Sequence, residues 1–324
     1  MASARAGAPA DALLPGAIAG ASRFSRRHRI AIAIAGSLAG VAILALALAG
    51  RRDQFAAAIS GTALWLLVLT AVLQLIALLV RSESWHLCIR AAGGTADRRV
   101  IYRASSFGVL GSFFQGQLSV AARIWALRRS SPELCPQIPT LIAAEFPILA
   151  IEATLAALTS FTLVGPLGLP WWLPLILVAV VGTISAGLRQ LALRTGRELW
   201  KGLAVLRSPR GISVAGLVLV AVFAQIFRNW LLLHAVGVDA SFFDAIAVLI
   251  AVVTLGQLPV GPSVGAAAAV LILGSNGVAA VAAAGVLTTV TGVAGGLAFA
   301  GWAGADWLWV RGRRRRLRVA PAVT

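Results

Sequence analysis

Six apolar stretches, each about as long as a lipid bilayer is thick, most constrain what this chain can fold into. A helix needs about 20 apolar residues to cross the hydrocarbon core. The six stretches cover residues 30–50, 58–80, 138–163, 169–187, 211–236 and 278–308. Only 12% of the residues are charged, compared with about 25% in a typical soluble domain. We therefore predict one all-α polytopic membrane domain over residues 30–310, preceded by a disordered basic N-terminus (1–29) and followed by a basic tail (311–324).

Basic clusters between these stretches predict which loops face the cytoplasm. Five clusters contain 24 of the 28 lysines and arginines, and such clusters stay on the cytoplasmic side of a membrane. All five stay there only if residues 104–122 enter the membrane and return as a hairpin. The same count of basic residues fits a second hairpin over 242–274 that enters from the outer face and is followed by one span. It also fits three ordinary crossings in this region. About six spans and two re-entrant hairpins would form a pseudo-inverted-repeat bundle, with both termini on the cytoplasmic side of a bacterial plasma membrane.

Glycine, proline and glutamine residues cluster at the predicted tip of each hairpin. Glycine and proline interrupt helices, and broken backbone survives in a bilayer only where protein or water covers it. The tips are therefore predicted to line a polar cavity, and their amides either bind a headgroup or cap the helix ends. The predicted turn residues are Gln115, Gly116 and Gln117 in the first hairpin, and Pro259, Gly261, Pro262 and Gly265 in the second.

A few charged and amide side chains lie inside the predicted spans, where such groups are costly and mark functional sites. Glu145 and Glu152 are seven residues apart on one helix face, with Pro147 predicted to kink the helix between them. We expect Glu152 to face Arg228 across a cavity, as a substrate contact or as a structural pair. Arg123 would meet an anionic headgroup at the cytoplasmic mouth, or merely snorkel. The predicted substrate pathway consists of Arg123, Glu145, Glu152, Gln225, Arg228, Asn229 and Gln257.

The sequence contains no pattern typical of a catalytic or cofactor site. It has two cysteines without a C-x-x-C motif, three scattered histidines and no nucleotide-binding loop. We therefore expect no enzyme activity, metal or cofactor. The expected partners are membrane lipids, with anionic headgroups at the cytoplasmic face, and not nucleic acids.

Five stretches resemble one known family in their order and spacing. They are "VRSESWHLCIRAAGG" (80–94), "GSFFQGQLSVAARIWALRRSS" (111–131), "PTLIAAEFPILAIEA" (139–153), "LLLHAVGVDASFFDAIAVL" (231–249) and "LPVGPSVGAAAAVLILGSNGVAAVAAAGVLTTV" (258–290). The chain resembles the transmembrane region of lysylphosphatidylglycerol synthases, also called flippase-like domain proteins. This resemblance implies a helical bundle with re-entrant segments that binds or translocates an amphiphilic lipid, either a phospholipid or a lipid-linked glycan, between leaflets.

Three polar positions of that family are replaced here. The glycine–glutamate pair before the hairpin arginine is Ser119 and Val120, and the arginine after the helix glutamate, matched by Glu145, is Phe146. The glutamate after the second turn falls among Ala266–Ala269. These replacements leave open a non-transporting scaffold for a glycosyltransferase or lipid-modifying enzyme, while a membrane-embedded transferase has the least support. Because no soluble transferase domain follows the last span, we expect no synthesis of lysylphosphatidylglycerol.

Overall fold

The computed structural model describes residues 48–113, 116–195, 201–256, 264–273 and 277–319, together with isolated positions between 38 and 46. All regular structure in these residues is helical, which confirms the all-α part of the predicted fold class. The helices are α1 (Arg52–Ser60), α2 (Leu64–Ala91), α3 (Arg98–Ser112), α4 (Gly116–Ser130), α5 (Ile138–Ala143), α6 (Phe146–Thr159), α7 (Val164–Leu167), α8 (Leu173–Thr195), α9 (Arg210–Ala235), α10 (Phe242–Gly256), α11 (Val264–Leu273) and α12 (Val278–Val319). Short 3-10 turns occupy Ser160–Leu163 and Ala204–Arg207.

Four helical segments in the described part of the chain are long and apolar enough to cross a membrane. They are Leu64–Ala91, Ile138–Leu167, Arg210–Ala235 and Val278–Arg311, and they match four of the six predicted spans. The predicted span at 169–187 forms α8, whose apolar part, Leu173–Gly187, is shorter. Most of the predicted span at 30–50, and the N-terminus at 1–29, lie outside the described residues. Helix α12 continues through the predicted tail boundary at residue 311 as far as Val319.

Helices α2 and α9 form an antiparallel pair at the centre of the bundle, and α12 packs against both. Ala77 of α2 packs against Ala221 and Ala224 of α9, so small side chains bring the two helix axes close together. Gly295 of α12 serves the same purpose, because a Cβ atom there would lie 3.0 Å from the carbonyl oxygen of Ala71 in α2. Alanine and glycine are typical of close contacts between membrane helices.

Two separate apolar cores lie at opposite ends of α9. Val214 and Val218, near the start of α9, belong to a core formed with α2, α3, α4 and the α5–α6 region. Leu232 and Leu233, near its end, belong to a second core formed with α10, α11 and the first turns of α12. Gly237 follows α9 with a positive φ of 82°, a conformation that glycine adopts without strain and that ends the helix.

Helices α3 and α4 form a tight antiparallel pair where the first hairpin was predicted. Cβ atoms on Gly108 and Gly111 would lie 3.0 Å from the carbonyl oxygens of Ser119 and Leu118, so glycine at these positions allows the close approach of the two helices. Gln115 lies outside the described residues. Gly116 and Gln117 lie in the first turn of α4.

Helices α10 and α11 form a second packed pair at the other end of α9. Ser241 and Asp244 cap the start of α10 reciprocally, with an Asp244 carboxylate oxygen 2.8 Å from the Ser241 amide nitrogen. Gly265 lies in the first turn of α11. The segment between the two helices, which includes Gln257, Pro259, Gly261 and Pro262, lies outside the described residues. How deeply either pair enters a membrane stays a prediction.

Candidate functional site

The guanidinium of Arg228 joins α2, α9 and α12 through hydrogen bonds to neutral groups. Arg228 is only 4% exposed. Its Nη1 donates to Gln74 Oε1 at 2.5 Å and lies 3.4 Å from Gln225 Oε1. Its Nη2 donates to the carbonyl oxygen of Thr288 and to Thr291 Oγ1, the latter at 3.2 Å. One buried side chain thus connects the three central helices.

The local sequence of α12 creates the space and the acceptors for this arginine. A Cβ atom on Gly292 would lie 3.0 Å from Arg228 Nη2, so glycine leaves room for the guanidinium. The Thr291 hydroxyl donates to the carbonyl oxygen of Leu287 at 2.8 Å, which leaves its oxygen lone pairs for the arginine. Helix α12 therefore provides space for the guanidinium at Gly292 and oxygen atoms that accept its hydrogen bonds.

Arg228 lies inside the apolar segments that surround it, about 10 to 15 Å from the nearer end of each. Gln74 and Thr288 are each ten residues from the first residue of their helices. At a rise of about 1.5 Å per residue, that is about 15 Å along each helix. The hydrocarbon core of a bilayer is about 30 Å thick, so the guanidinium lies close to half of that thickness from the helix starts.

The site around Arg228 carries a net positive charge in the part of the chain that the structure describes. No described carboxylate lies within ion-pair distance of Arg228, and its Nε has no described hydrogen-bond partner. The Gln225 amide nitrogen donates to Gln74 Oε1 at 3.1 Å, and Asn229 is buried on the same helix. Such a site is chemically suited to an anionic group.

The predicted pairing of Glu152 with Arg228 is wrong. Glu152 forms its ion pair with Arg81 of α2. Arg81 lies seven residues beyond Gln74 in the sequence, which corresponds to about 10 Å along the helix. Glu152 therefore contacts α2 about two helical turns beyond the position where Arg228 contacts it, too far for the two side chains to pair.

Arg123 and Glu145 form a buried ion pair close to Trp85. Arg123 Nη1 lies 3.0 and 3.3 Å from the two Glu145 carboxylate oxygens, and the guanidinium is 4.9 Å from the centre of the Trp85 ring. Both charged side chains are less than 15% exposed. This geometry contradicts the alternative in which Arg123 snorkels towards the membrane surface. Its contact with a lipid headgroup stays a prediction.

Glu145 occupies a break between two helices. Helix α5 ends at Ala143, and α6 begins at Phe146 with Pro147 in its first turn. Proline cannot donate the hydrogen bond that would continue the preceding helix, and the helical pattern is interrupted at residues 144–145, just before Pro147. The break places the Glu145 carboxylate opposite Arg123.

Three residues that sequence reasoning did not select form polar contacts between helices. Gln74 is the only amide in the apolar stretch 58–80, and Asp306 is the only charged residue in 278–308. Asp306 Oδ2 lies 3.0 Å from Arg103 Nε on α3. The third, Arg81, belongs to one of the five basic clusters in the sequence. Isolated polar residues in apolar stretches were the signal that could have identified the first two.

Comparison with known proteins assigns no family to this architecture. No protein-family model matches the chain, and no curated protein is significantly similar to it. The resemblance to the lysylphosphatidylglycerol synthase transmembrane region therefore stays a prediction from the five quoted stretches.

Proposed function

We propose that this protein binds an amphiphilic lipid with an anionic headgroup and moves it between leaflets, with Arg228 contacting the headgroup near the bilayer midplane. The observation that carries this proposal is a buried arginine whose described partners are all neutral. An arginine at the centre of a membrane helix costs about 2.5–3.5 kcal/mol on insertion scales. A phosphate group, from a phospholipid or a lipid-linked glycan, would offset that cost while the acyl or prenyl tails stay in the bilayer.

The two helix pairs at opposite ends of α9 provide a route in this proposal. We infer that α3–α4 and α10–α11 enter from opposite membrane faces as re-entrant hairpins, so that six spans and two hairpins form a pseudo-inverted repeat. Their tips, including Gln115 and Gln257, would line the path on either side of Arg228. The Arg123–Glu145 pair would lie at the cytoplasmic entrance, where a headgroup phosphate competes with Glu145 for the guanidinium.

A lipid-translocation assay in proteoliposomes tests the role of Arg228. Vesicles would contain a phosphatidylglycerol or a polyprenyl phosphate with a fluorescent group that dithionite quenches only in the outer leaflet. We expect wild-type protein to accelerate quenching of the inner-leaflet lipid. Arg228→Gln should reduce that rate at least tenfold, because a neutral side chain cannot attract the phosphate, and Arg228→Lys should retain part of the rate.

Two controls make the assay specific. Arg194→Gln removes an exposed arginine at the end of α8 and should leave the rate unchanged. Circular dichroism and thermal unfolding of Arg228→Gln show whether the bundle is intact. Wild-type and folded Arg228→Gln proteins that move lipid at equal rates would contradict the proposal.

A non-transporting scaffold for a glycosyltransferase or lipid-modifying enzyme is the second candidate function. The observation that favours it is that the two buried arginines of the proposed pathway already have protein partners, Glu145 for Arg123 and neutral oxygens for Arg228. In this case wild-type protein would move neither lipid in the assay, and a membrane enzyme would co-purify with it in a fixed ratio.

A further inference from the structure

A groove between α3 and α12 combines an arginine, a carboxylate and two tryptophans outside the pathway described above. The groove has a volume of about 440 Å³ and is lined by Arg99, Trp302, Ala305, Asp306 and Trp309. On α12 the polar and aromatic lining residues follow helical spacing (302, 306, 309), which places them on one face. The volume lies within the range of small-molecule sites, about 300–1,000 Å³.

One charge in this groove is neutralised and one is not. The Asp306 carboxylate is 3.0 Å from Arg103, one turn along α3 from Arg99, and both members of this pair are largely buried. Arg99 is exposed, and no carboxylate among the described residues lies within ion-pair distance of it. The groove therefore has a net positive charge, located on the exposed Arg99.

The aromatic residues place the groove at a membrane boundary. The apolar sequence of α12 ends at Val310, and a run of arginines begins at Arg311. Trp302 is 46% exposed and Trp309 is 67% exposed, and exposed tryptophans at the end of a span lie at the level of lipid headgroups. The ring of Trp302 has an edge contact with Tyr102 of α3, with ring centroids 6.4 Å apart, which holds it at the side of the groove.

We propose that this groove binds the phosphodiester headgroup of an anionic phospholipid from the cytoplasmic leaflet. The Arg99 guanidinium donates hydrogen bonds to the phosphate oxygens, and the indoles of Trp302 and Trp309 contact the glycerol backbone and the first acyl carbons. The Arg103–Asp306 pair fixes the distance between the two helices. The proposal does not depend on Arg228 or on lipid translocation.

Native mass spectrometry of the full chain in detergent tests this site. Delipidated protein would be titrated with phosphatidylglycerol and, separately, with phosphatidylcholine of the same acyl chains. In an Arg228→Gln background, which removes the headgroup contact proposed above, we expect the protein to bind one phosphatidylglycerol in preference to phosphatidylcholine, and the variants below are compared in that background. Arg99→Ala should weaken that binding about fivefold, the loss expected for one charge-assisted hydrogen bond at an exposed site, and Arg99→Lys should restore part of it.

Arg90→Ala is the matched control, since Arg90 is also exposed and does not line the groove. This variant should bind phosphatidylglycerol like its Arg228→Gln parent. Equal binding by Arg99→Ala and that parent, or an equal loss in Arg90→Ala, would overturn the proposal. Displacement of phosphatidylglycerol by millimolar inorganic phosphate would also overturn it, because the site would then recognise free phosphate and not a lipid.

Discussion

At the residue scale, the buried side chains of Arg123 and Arg228 differ in what neutralises them. Arg123 lies against a carboxylate and an indole ring, whereas the described partners of Arg228 are neutral oxygens. Removing one member of a buried ion pair leaves the other charge uncompensated, while replacing both removes the desolvation cost of each. The two arginines should therefore respond differently to substitution.

The Arg123–Glu145 pair should show strong coupling. We expect Arg123→Gln and Glu145→Gln each to lower the free energy of unfolding by about 3 kcal/mol, because the remaining charge stays buried. The double variant should lose much less than the sum of the two. Unfolding by denaturant in detergent micelles, followed by circular dichroism, measures the three values. Additive losses would show that the two side chains do not interact.

The thiol of Cys135 should react slowly with alkylating reagents. Burial raises the pKa of this thiol, so a smaller fraction is the reactive thiolate at pH 7.5. We expect N-ethylmaleimide to modify Cys135 more slowly than a cysteine introduced at exposed position 133 in the same loop. The comparison variant carries Glu133→Cys in a Cys135→Ser background. The modification rate of Cys135 should still rise at alkaline pH. Mass spectrometry at timed intervals measures both rates. Equal rates at pH 7.5 would contradict the shift.

At the scale of elements, the helix break that positions Glu145 depends on a neighbouring loop. Gly202 is buried against residues 143 and 144. A Cβ atom on Gly202 would lie 2.5 Å from the Ala143 carbonyl carbon and 2.5 Å from the Ala144 nitrogen. Since these are backbone atoms, no side-chain rotation can relieve the contact. The loop before α9 can therefore pack this closely against the helix break only with glycine at position 202.

Gly202→Ala should destabilise the protein by about 2 kcal/mol or more, a value typical of overpacking in a core. Gly182→Ala is a matched control in the interior of α8, where a Cβ atom meets nothing within 4 Å. There the higher helix propensity of alanine should leave stability unchanged or raise it by up to about 1 kcal/mol. Thermal unfolding in the same detergent compares the two. A melting temperature lowered equally in both variants would contradict this explanation.

The helical elements follow from the sequence more readily than their contacts do. A bilayer requires about 20 apolar residues with internally satisfied hydrogen bonds, so the lengths of apolar stretches predicted α2, α9 and the apolar part of α12. Glycine spacing and charge predicted the α3–α4 region. The partner of Glu152 could not be predicted, because it depends on which turn of α6 packs against which turn of α2. That register is set by many apolar contacts at once.

At the scale of the whole molecule, the two apolar cores at the ends of α9 indicate which loops belong to the same side. Helix α1, with the loop that joins it to α2, lies beside the core that contains α10 and α11, since Phe55 and Ile59 of α1 pack against that core. The loop after α4 lies beside the other core, where Cys135 packs. If the molecule spans a bilayer along α9, these two loops lie on opposite sides of it.

Cysteine labelling tests this arrangement directly. Ser60→Cys and Glu133→Cys, each exposed, would be introduced into a variant without Cys88 and Cys135. An impermeant maleimide applied to intact cells should label residue 60 at once, and residue 133 only after the cells are opened. Labelling of both residues in intact cells would contradict the re-entrant assignment of α3–α4, because a full crossing there would place residue 133 outside.

Between those cores, the crossing of α2 and α9 is formed by the methyl groups of Ala77, Ala221 and Ala224 and, beside them, by the hydrogen bonds of Arg228. If one half of the molecule tilts against the other, each half keeps its large apolar side chains covered. The contact between α2 and α9 would then lose only a small buried apolar area, which contributes about 25 cal/mol for each Å². The hinge axis would then pass next to the one buried guanidinium that has no described carboxylate, so rocking would expose that charge first to one end of the bundle and then to the other.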